Sequence, residues 1–473
     1  MKSPHPVRSL TIPALLLISA LGLNAASLEE LWQNPAVEQR IADGIRTNRM
    51  DEVVLNLTGG DGAPLTNVTV KVEQTRHDFL FGANPFMLGG FPTPEENLKY
   101  EKLYTSLFNY TTVPFYWSDL EPEPGKLRFA KDSPVIYRRP PPDAVVEFCK
   151  QHGIEMKGHP LVWAQWYPKW RPDDPLEVMV RIEQRIAEIA ARYGDSIKRW
   201  EVVNEPCERR TWEVRWCNLP EDYVFGSLSM AAKLMPAGDR MMLNEAITFS
   251  WVEFYGTESR YYRLIREMLA RGARVDEIGF QFHIEKDKVW REVLSGQNSI
   301  PASEQRSDDR LPRVLNGAYF APLNIFKVLD QYSVFGRPLA ITEISFPTRP
   351  NTLDGERDQA LVTRNYYRLW FSHPSVNAIT WWNIVDGTSH GEDRLLAGLV
   401  RRDFSPKLAY KALDQLINHD WKTQFETNST AGGKVAFRGF HGDYKVTVQV
   451  GDKTATHTFH LKKGSANNWN FKL

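Results

Sequence analysis

From Phe79 onward the chain alternates between short runs of β-branched and aromatic residues and longer stretches with a 3.6-residue apolar period. The short runs are Phe79–Asn84, Tyr110–Phe115, Glu155–Trp163, Arg199–Glu205, Arg240–Ala246, Glu277–Ile284, Pro338–Ser345 and Ala378–Ile384. Helical spacing between them is clearest from Pro175 to Tyr193, where Val178, Ile182, Ile186 and Ile189 fall on one face. Glu258 to Leu269 shows the same period, and Lys407 to Ile417 supplies a last helix after the eighth run. Eight strands alternating with helices over about 340 residues predict an α/β fold of the (β/α)8 TIM-barrel kind, not an open sheet.

The pattern differs at both ends. Leu28 to Arg49 is polar with helical spacing. Val53 to Val72 alternates around Gly59-Gly60-Asp61-Gly62 and predicts an N-terminal β-hairpin. After Trp421 only strands are expected, at Lys434–Arg438, Tyr444–Val450, Thr454–Leu461 and Trp469–Leu473, which together suggest a small C-terminal all-β domain. Ser295 to Arg313 is rich in Gly, Ser, Asp and Pro and reads as a long loop after strand six. At the start, Lys2 and Arg8 precede an apolar run, Leu10 to Leu23, followed by small Ala25 and Ala26. That is the pattern of a cleaved signal peptide, and about 14 apolar residues fall short of the roughly 20 of a membrane span. The organisation expected is therefore a signal peptide over 1–26, a helix and hairpin extension over 27–78, the barrel over 79–422 and the β-domain over 423–473. The mature protein is expected to be secreted or periplasmic, monomeric and free of the membrane.

Acidic and basic side chains balance at 58 each, so the chain offers no basic stripe and nucleic acid is not an expected partner. The 15 Trp and 17 Tyr suit either core packing or stacking on the apolar faces of sugars. Three cysteines make no disulfide framework. Cys149 lies in an apolar helical stretch and reads as a buried thiol, while Cys207 and Cys217 flank a polar loop, where either a disulfide or two free thiols fits. No His/Cys cluster has zinc spacing, so neither metal nor cofactor is expected.

Catalytic groups of such barrels stand at the C-terminal ends of the strands. Two strands end in a carboxylate: Trp200-Glu201-Val202-Val203-Asn204-Glu205 and Leu339-Ala340-Ile341-Thr342-Glu343. A Glu at such a place is costly unless it is paired or used. One use is retaining glycoside hydrolysis, in which two carboxyls roughly 5–5.5 Å apart protonate the leaving oxygen and attack the anomeric carbon. The other reading is a pair of structural salt bridges. Convergence favours the first: Asn204 sits beside Glu205, Gln281 and His283 share one face of strand six, His159 and Trp163 end strand three, and Trp381 and Trp382 fall in strand eight.

These motifs together resemble a known family. Gly158-His159-Pro160-Leu161-Val162-Trp163, the Val202-Val203-Asn204-Glu205 ending, Gly279-Phe280-Gln281-Phe282-His283, Ile341-Thr342-Glu343 and Asp403 to Tyr410 are similar to glycoside hydrolase family 10, mainly endo-β-1,4-xylanases. The resemblance runs in order from about Phe79 to Leu416. It implies Glu205 as acid/base and Glu343 as nucleophile, with His159, Trp163, Asn204, Gln281, His283 and Trp382 around the sugar being cleaved. It implies a polysaccharide or oligosaccharide substrate of plant type.

The chain also departs from the family pattern. Strand two of the family carries a Glu and a Lys that hold the second sugar, where this chain has Val113-Pro114-Phe115-Tyr116-Trp117. The residue after Trp163 is Ala164, not His. The nucleophile is followed by Ile344-Ser345, so the acidic partner expected near His283 is missing, and Ser389-His390 stands in place of Ser-Trp. Two alternatives to a xylanase-like enzyme follow: a barrel glycosidase with shifted specificity, or a weakly catalytic carbohydrate-binding protein.

Overall fold

A computed structural model of the chain describes residues 30, 32–207, 219–247, 250–251, 256–284, 287–295, 317–388 and 396–473. The expected signal peptide, Cys217, the Ser389-His390 pair and most of the loop after strand six lie outside them. No helix among the described residues is long and apolar enough to cross a membrane.

Eight parallel strands close into a ring. In chain order they are Leu80–Ala83, Tyr110–Pro114, Glu155–His159, Arg199–Asn204, Arg240–Glu245, Glu277–His283, Leu339–Ser345 and Val376–Trp381, and pairing of the third with the fourth shuts the barrel. Every expected strand is present, but the third is shorter than its apolar run. It stops at His159, and Val162–Trp163 pairs separately with Val203 and Asn204. Pro160 accounts for the break, because it has no N–H to give the ladder.

The helices obey local rules. Pro175–Tyr193 starts on Asp174, whose side chain accepts from the amides of Leu176 and Glu177, and it buries the predicted face of Val178, Ile182, Ile186 and Ile189. Pro94–Leu107 opens with Pro at its first turn and a reciprocal capping box between Thr93 and Glu96. The last helix, Leu408–Asp414, is shorter than its sequence pattern because the chain widens into a π-helical turn over Gln415–Asp420.

The ends of the chain depart from expectation. Met50–Thr58 and Thr69–His77 do not form a hairpin. Met50–Thr58 lies between Lys434–Phe440 and Asn468–Lys472 in a three-stranded sheet, whereas Thr69–His77 pairs with Gln424–Asn428 and Gly442–Val450 in a four-stranded one. The two sheets enclose one core, in which Val53, Leu55, Leu57, Val70 and Val72 meet Val435, Tyr444, Val446, Phe459 and Leu461. Each strand has an apolar face to bury, and placed in opposite sheets the two faces meet across one core, while the C-terminal strands supply the hydrogen-bonded neighbours that displace local pairing. The sandwich is thus built from both ends of the chain. Arg49 fixes it to the barrel by donating to the carbonyls of Phe371, His373 and Val376.

Candidate active site

Glu205 stands one residue beyond strand four, in left-handed backbone at φ 53°. Its amide donates to the carbonyl of Asn244, which holds a conformation that non-glycine residues adopt mainly where the surroundings impose it. The carboxylate is surrounded by N–H donors. Trp163 Nε1 reaches Oε2 at 2.9 Å, Gln165 Nε2 reaches it at 3.3 Å, and Gln281 Nε2 reaches Oε1 at 2.8 Å.

Glu343, on strand seven and buried, accepts from His283 Nε2 at 3.1 Å and Asn244 Nδ2 at 3.2 Å. His283 is held in turn by Ser345, with Nδ1 and Oγ 2.9 Å apart. Where the resemblance implies an acidic partner near His283, this chain therefore presents a neutral hydroxyl.

A chain of amides joins the two carboxylates. Gln281 Nε2 lies 3.3 Å from Asn204 Oδ1 as well as bonding Glu205, and Asn244 Nδ2 reaches the same Asn204 oxygen at 3.0 Å while bonding Glu343. Thr342 Oγ1 donates to Asn244 Oδ1 and fixes which way that amide faces. Gly279 leaves the room this needs: a Cβ there would lie 2.7 Å from Asn244 Oδ1 and 2.8 Å from Thr342 Cγ2.

Beneath the site lies a buried charge cluster. Glu201 Oε2 accepts from Lys157 Nζ at 2.5 Å, and Oε1 accepts from His159 Nδ1 at 2.7 Å. Burial alone would raise the Glu201 pKa, but His159 and Lys157 outweigh it and hold the carboxyl at about 2. His159 Nε2 faces Tyr116 Oη at 3.1 Å. Burial, with the charges of Glu343 and Glu201, pushes the Tyr116 hydroxyl well above its ordinary range despite nearby Arg139, so it stays protonated beside His159.

His159, Glu201 and Glu343 form the one group of three possible metal ligands among the described residues. Both Glu201 oxygens already face cationic or N–H donors, which fits a salt-bridged support better than an ion site.

All eight residues expected at the site meet at one end of the barrel. Trp382 follows strand eight and lies edge-on to His159, 5.4 Å between ring centroids, and to His283 at 6.1 Å. Its neighbour Trp381 faces away, donating to the carbonyls of Asn383 and Ala397. Glu201, Lys157 and Asn244 were not singled out from sequence. Two signals pointed to them: a charged residue centred in each of two adjacent apolar strands, and the Leu243-Asn244-Glu245 ending of strand five, which echoes Val203-Asn204-Glu205. Glu245 accepts the amides of Cys207 and Ala246 and so fixes the start of the loop that follows Glu205.

Comparison with known proteins agrees with this geometry. Residues 93–303 match the family described as Glycosyl hydrolase family 10, a span that includes Glu205 and ends before strand seven. The chain is 25% identical over 424 residues to the anti-sigma-I factor RsgI6 of Acetivibrio thermocellus, covering 88% of this chain and 47% of that protein. It is 23% identical over 429 residues to endo-1,4-beta-xylanase 2 of Arabidopsis thaliana, covering 88% and 34%. The chain thus spans about half the length, or less, of these curated relatives. Among solved structures, native xylanase 10B from Thermotoga maritima superposes with a TM-score of 0.54 at 20% identity, over 72% of this chain and 96% of that one, and shares its fold. The matched segment is thus similar to Glycosyl hydrolase family 10, and the chain shares the barrel fold of a solved xylanase.

Proposed function

We propose that this protein is a retaining glycoside hydrolase that cleaves β-glycosidic bonds in a plant-type polysaccharide or oligosaccharide, with Glu343 as nucleophile and Glu205 as general acid/base. The observation that carries the reading is the meeting of these two carboxylates, from strands four and seven, on one continuous amide chain through Gln281, Asn204 and Asn244. A pure binding site has no use for two carboxylates held in this way.

In the first half-reaction Glu343 attacks the anomeric carbon while Glu205 gives its proton to the departing oxygen. Ser345 and His283 orient the attacking carboxylate without placing a further negative charge beside it. In the second half-reaction Glu205 takes a proton from water, whose oxygen displaces Glu343 from the sugar. Trp382 offers an aromatic ring beside the reacting sugar, and Asn204 a side chain next to the acid. Reading residues 1–26 as a cleaved signal puts the enzyme outside the cytoplasm, secreted or periplasmic.

The matched family and the named xylanases favour endo-1,4-β-xylanase-like action. A second reading, a glycosidase of shifted specificity, is favoured by strand two, where the hydroxyl of Tyr116 bonds His159 and its ring stacks under Arg139.

Leaving-group dependence tests the roles. Glu205→Ala should keep most of the rate of glycosyl-enzyme formation, read as a burst of released phenol, from aryl β-glycosides with acidic phenols, and lose about 10²–10⁴-fold in that step on poor leaving groups. An equal loss across all leaving groups would remove Glu205 as the acid.

A further inference from the structure

The loop after strand two crosses one side of the barrel mouth and is braced on both flanks. Buried Arg128 holds its shape by donating to the carbonyls of Asp119, Pro134 and Arg139. Arg139 lies over the Tyr116 ring, its guanidinium carbon 3.7 Å from the centroid, and donates to Asp119 at 2.9 Å. The same Asp119 oxygen accepts Trp166 Nε1 at 2.7 Å, which ties the loop to the one after strand three. On the other flank Arg138, in left-handed backbone at φ 60°, donates to the carbonyl of Thr388 at 2.6 Å and so reaches the loop after strand eight.

Under this brace the aromatic rings are already in use. Phe86, Tyr116 and Trp382 are only 2%, 5% and 7% exposed. Phe86 lies edge-on to Trp382 at 5.3 Å and to Tyr116 at 5.9 Å. A sugar chain continuing in this direction would need exposed ring faces or free polar groups, and here the faces meet each other while the Tyr116 hydroxyl is taken by His159.

Direction follows from the roles of the two carboxylates. Glu205 protonates the leaving oxygen, so the leaving group lies on its side, toward strands four to six. The rest of the attacked chain lies opposite, toward strands eight, one and two, where the brace stands.

We propose that the glycone side of the site ends after one sugar residue, closed by Phe86, Tyr116 and Trp382 under the Arg138–Thr388 brace, and that the protein removes single sugars from non-reducing ends. Its substrates are then short β-linked oligosaccharides or glycosides, not the interior of long chains. Each event breaks one glycosidic C–O bond, with water supplying the hydroxyl to the released sugar and the proton to the leaving oxygen. This rests on the glycosidase reading above and takes its second form, shifted specificity, in place of endo-like action.

The test uses purified full-length enzyme on β-1,4-linked xylo-, gluco- and manno-pentasaccharides labelled at the reducing end, with aryl β-monoglycosides alongside. At low conversion the first labelled product should be one sugar shorter than the substrate. Methylating the terminal 4-hydroxyl at the non-reducing end should slow turnover about tenfold or more, the scale of losing a well-made contact to the site. Arg138→Ala should raise the ratio of internal to terminal cleavage about tenfold, as expected for losing a charged hydrogen bond that closes the wall. Internal cleavage by the native enzyme from the outset would overturn this inference and leave the glycosidase reading standing. An unchanged ratio in a correctly folded Arg138→Ala would overturn the role of the brace. No turnover of any member of the panel would overturn the glycosidase reading, and this inference with it.

Discussion

The two halves of the barrel mouth have different characters. Around Glu205 and Glu343, strands four to seven present a polar network of Asn204, Asn244, Gln281 and His283, in which each amide serves two or more partners. Around Tyr116, strands eight, one and two present packed rings stiffened by two buried arginines. On the function proposed above, the first half holds what bond cleavage requires whatever the sugar. In the proposed enzyme the second would decide which chain fits, and where the resembled family carries charged contacts this chain has aromatic packing. Chemistry and recognition are separable in this fold because they stand on different strands of one rigid ring.

The largest effect should come from breaking the charge cluster under the catalytic half. Glu201→Gln leaves Lys157 buried without its carboxylate, a change that costs about 3–5 kcal/mol of stability. The native cluster should also show itself in pH dependence. Burial opposes ionisation of Glu201, yet His159 and Lys157 bring its pKa from 4.5 down to about 2. The unfolded chain therefore takes up this proton first on acidification. Stability that is fully present above about pH 4.5 is lost as pH falls toward 2. Thermal melts across that range should lose this acid-dependent component in Glu201→Gln, and parallel curves would contradict the assignment.

A smaller effect should follow on the recognition half. Tyr116→Phe removes one hydroxyl, leaving the ring under Arg139 and His159 Nε2 without that partner. One such hydrogen bond is worth about 1 kcal/mol, so kcat/KM should fall about fivefold with little change in melting temperature. Native kcat/KM in this variant would reduce Tyr116 to packing and blur the contrast between the halves.

The eight strands were legible because burial imposes near-continuous apolar runs, and the carboxylates ending two of them were legible because apolar runs seldom stop on Glu without cause. The sandwich was only half legible. Alternation in Val53–Val72 correctly indicates strands with one buried face, but alternation does not say which strand pairs alongside, and the first strand's neighbours Val435 and Phe437 lie nearly 400 positions away. The polar network was partly hidden for a similar reason. Asn244 matters through Thr342, Asn204 and Glu343, three residues on two other strands, and no local pattern announces that meeting. Arg138 gave no signal at all, since its part depends on a left-handed backbone and a carbonyl on the far side of the mouth.

The central claim is that Glu343 carries the sugar covalently. A 2-deoxy-2-fluoro β-glycoside with an activated leaving group slows the second half-reaction, so the glycosyl-enzyme should accumulate in a mass spectrum of the intact protein. Peptide mapping should then place the sugar on the strand Leu339–Ser345, at Glu343, with activity lost in step with labelling. A label on any other carboxylate, or a first-formed product of inverted anomeric configuration, would contradict the account.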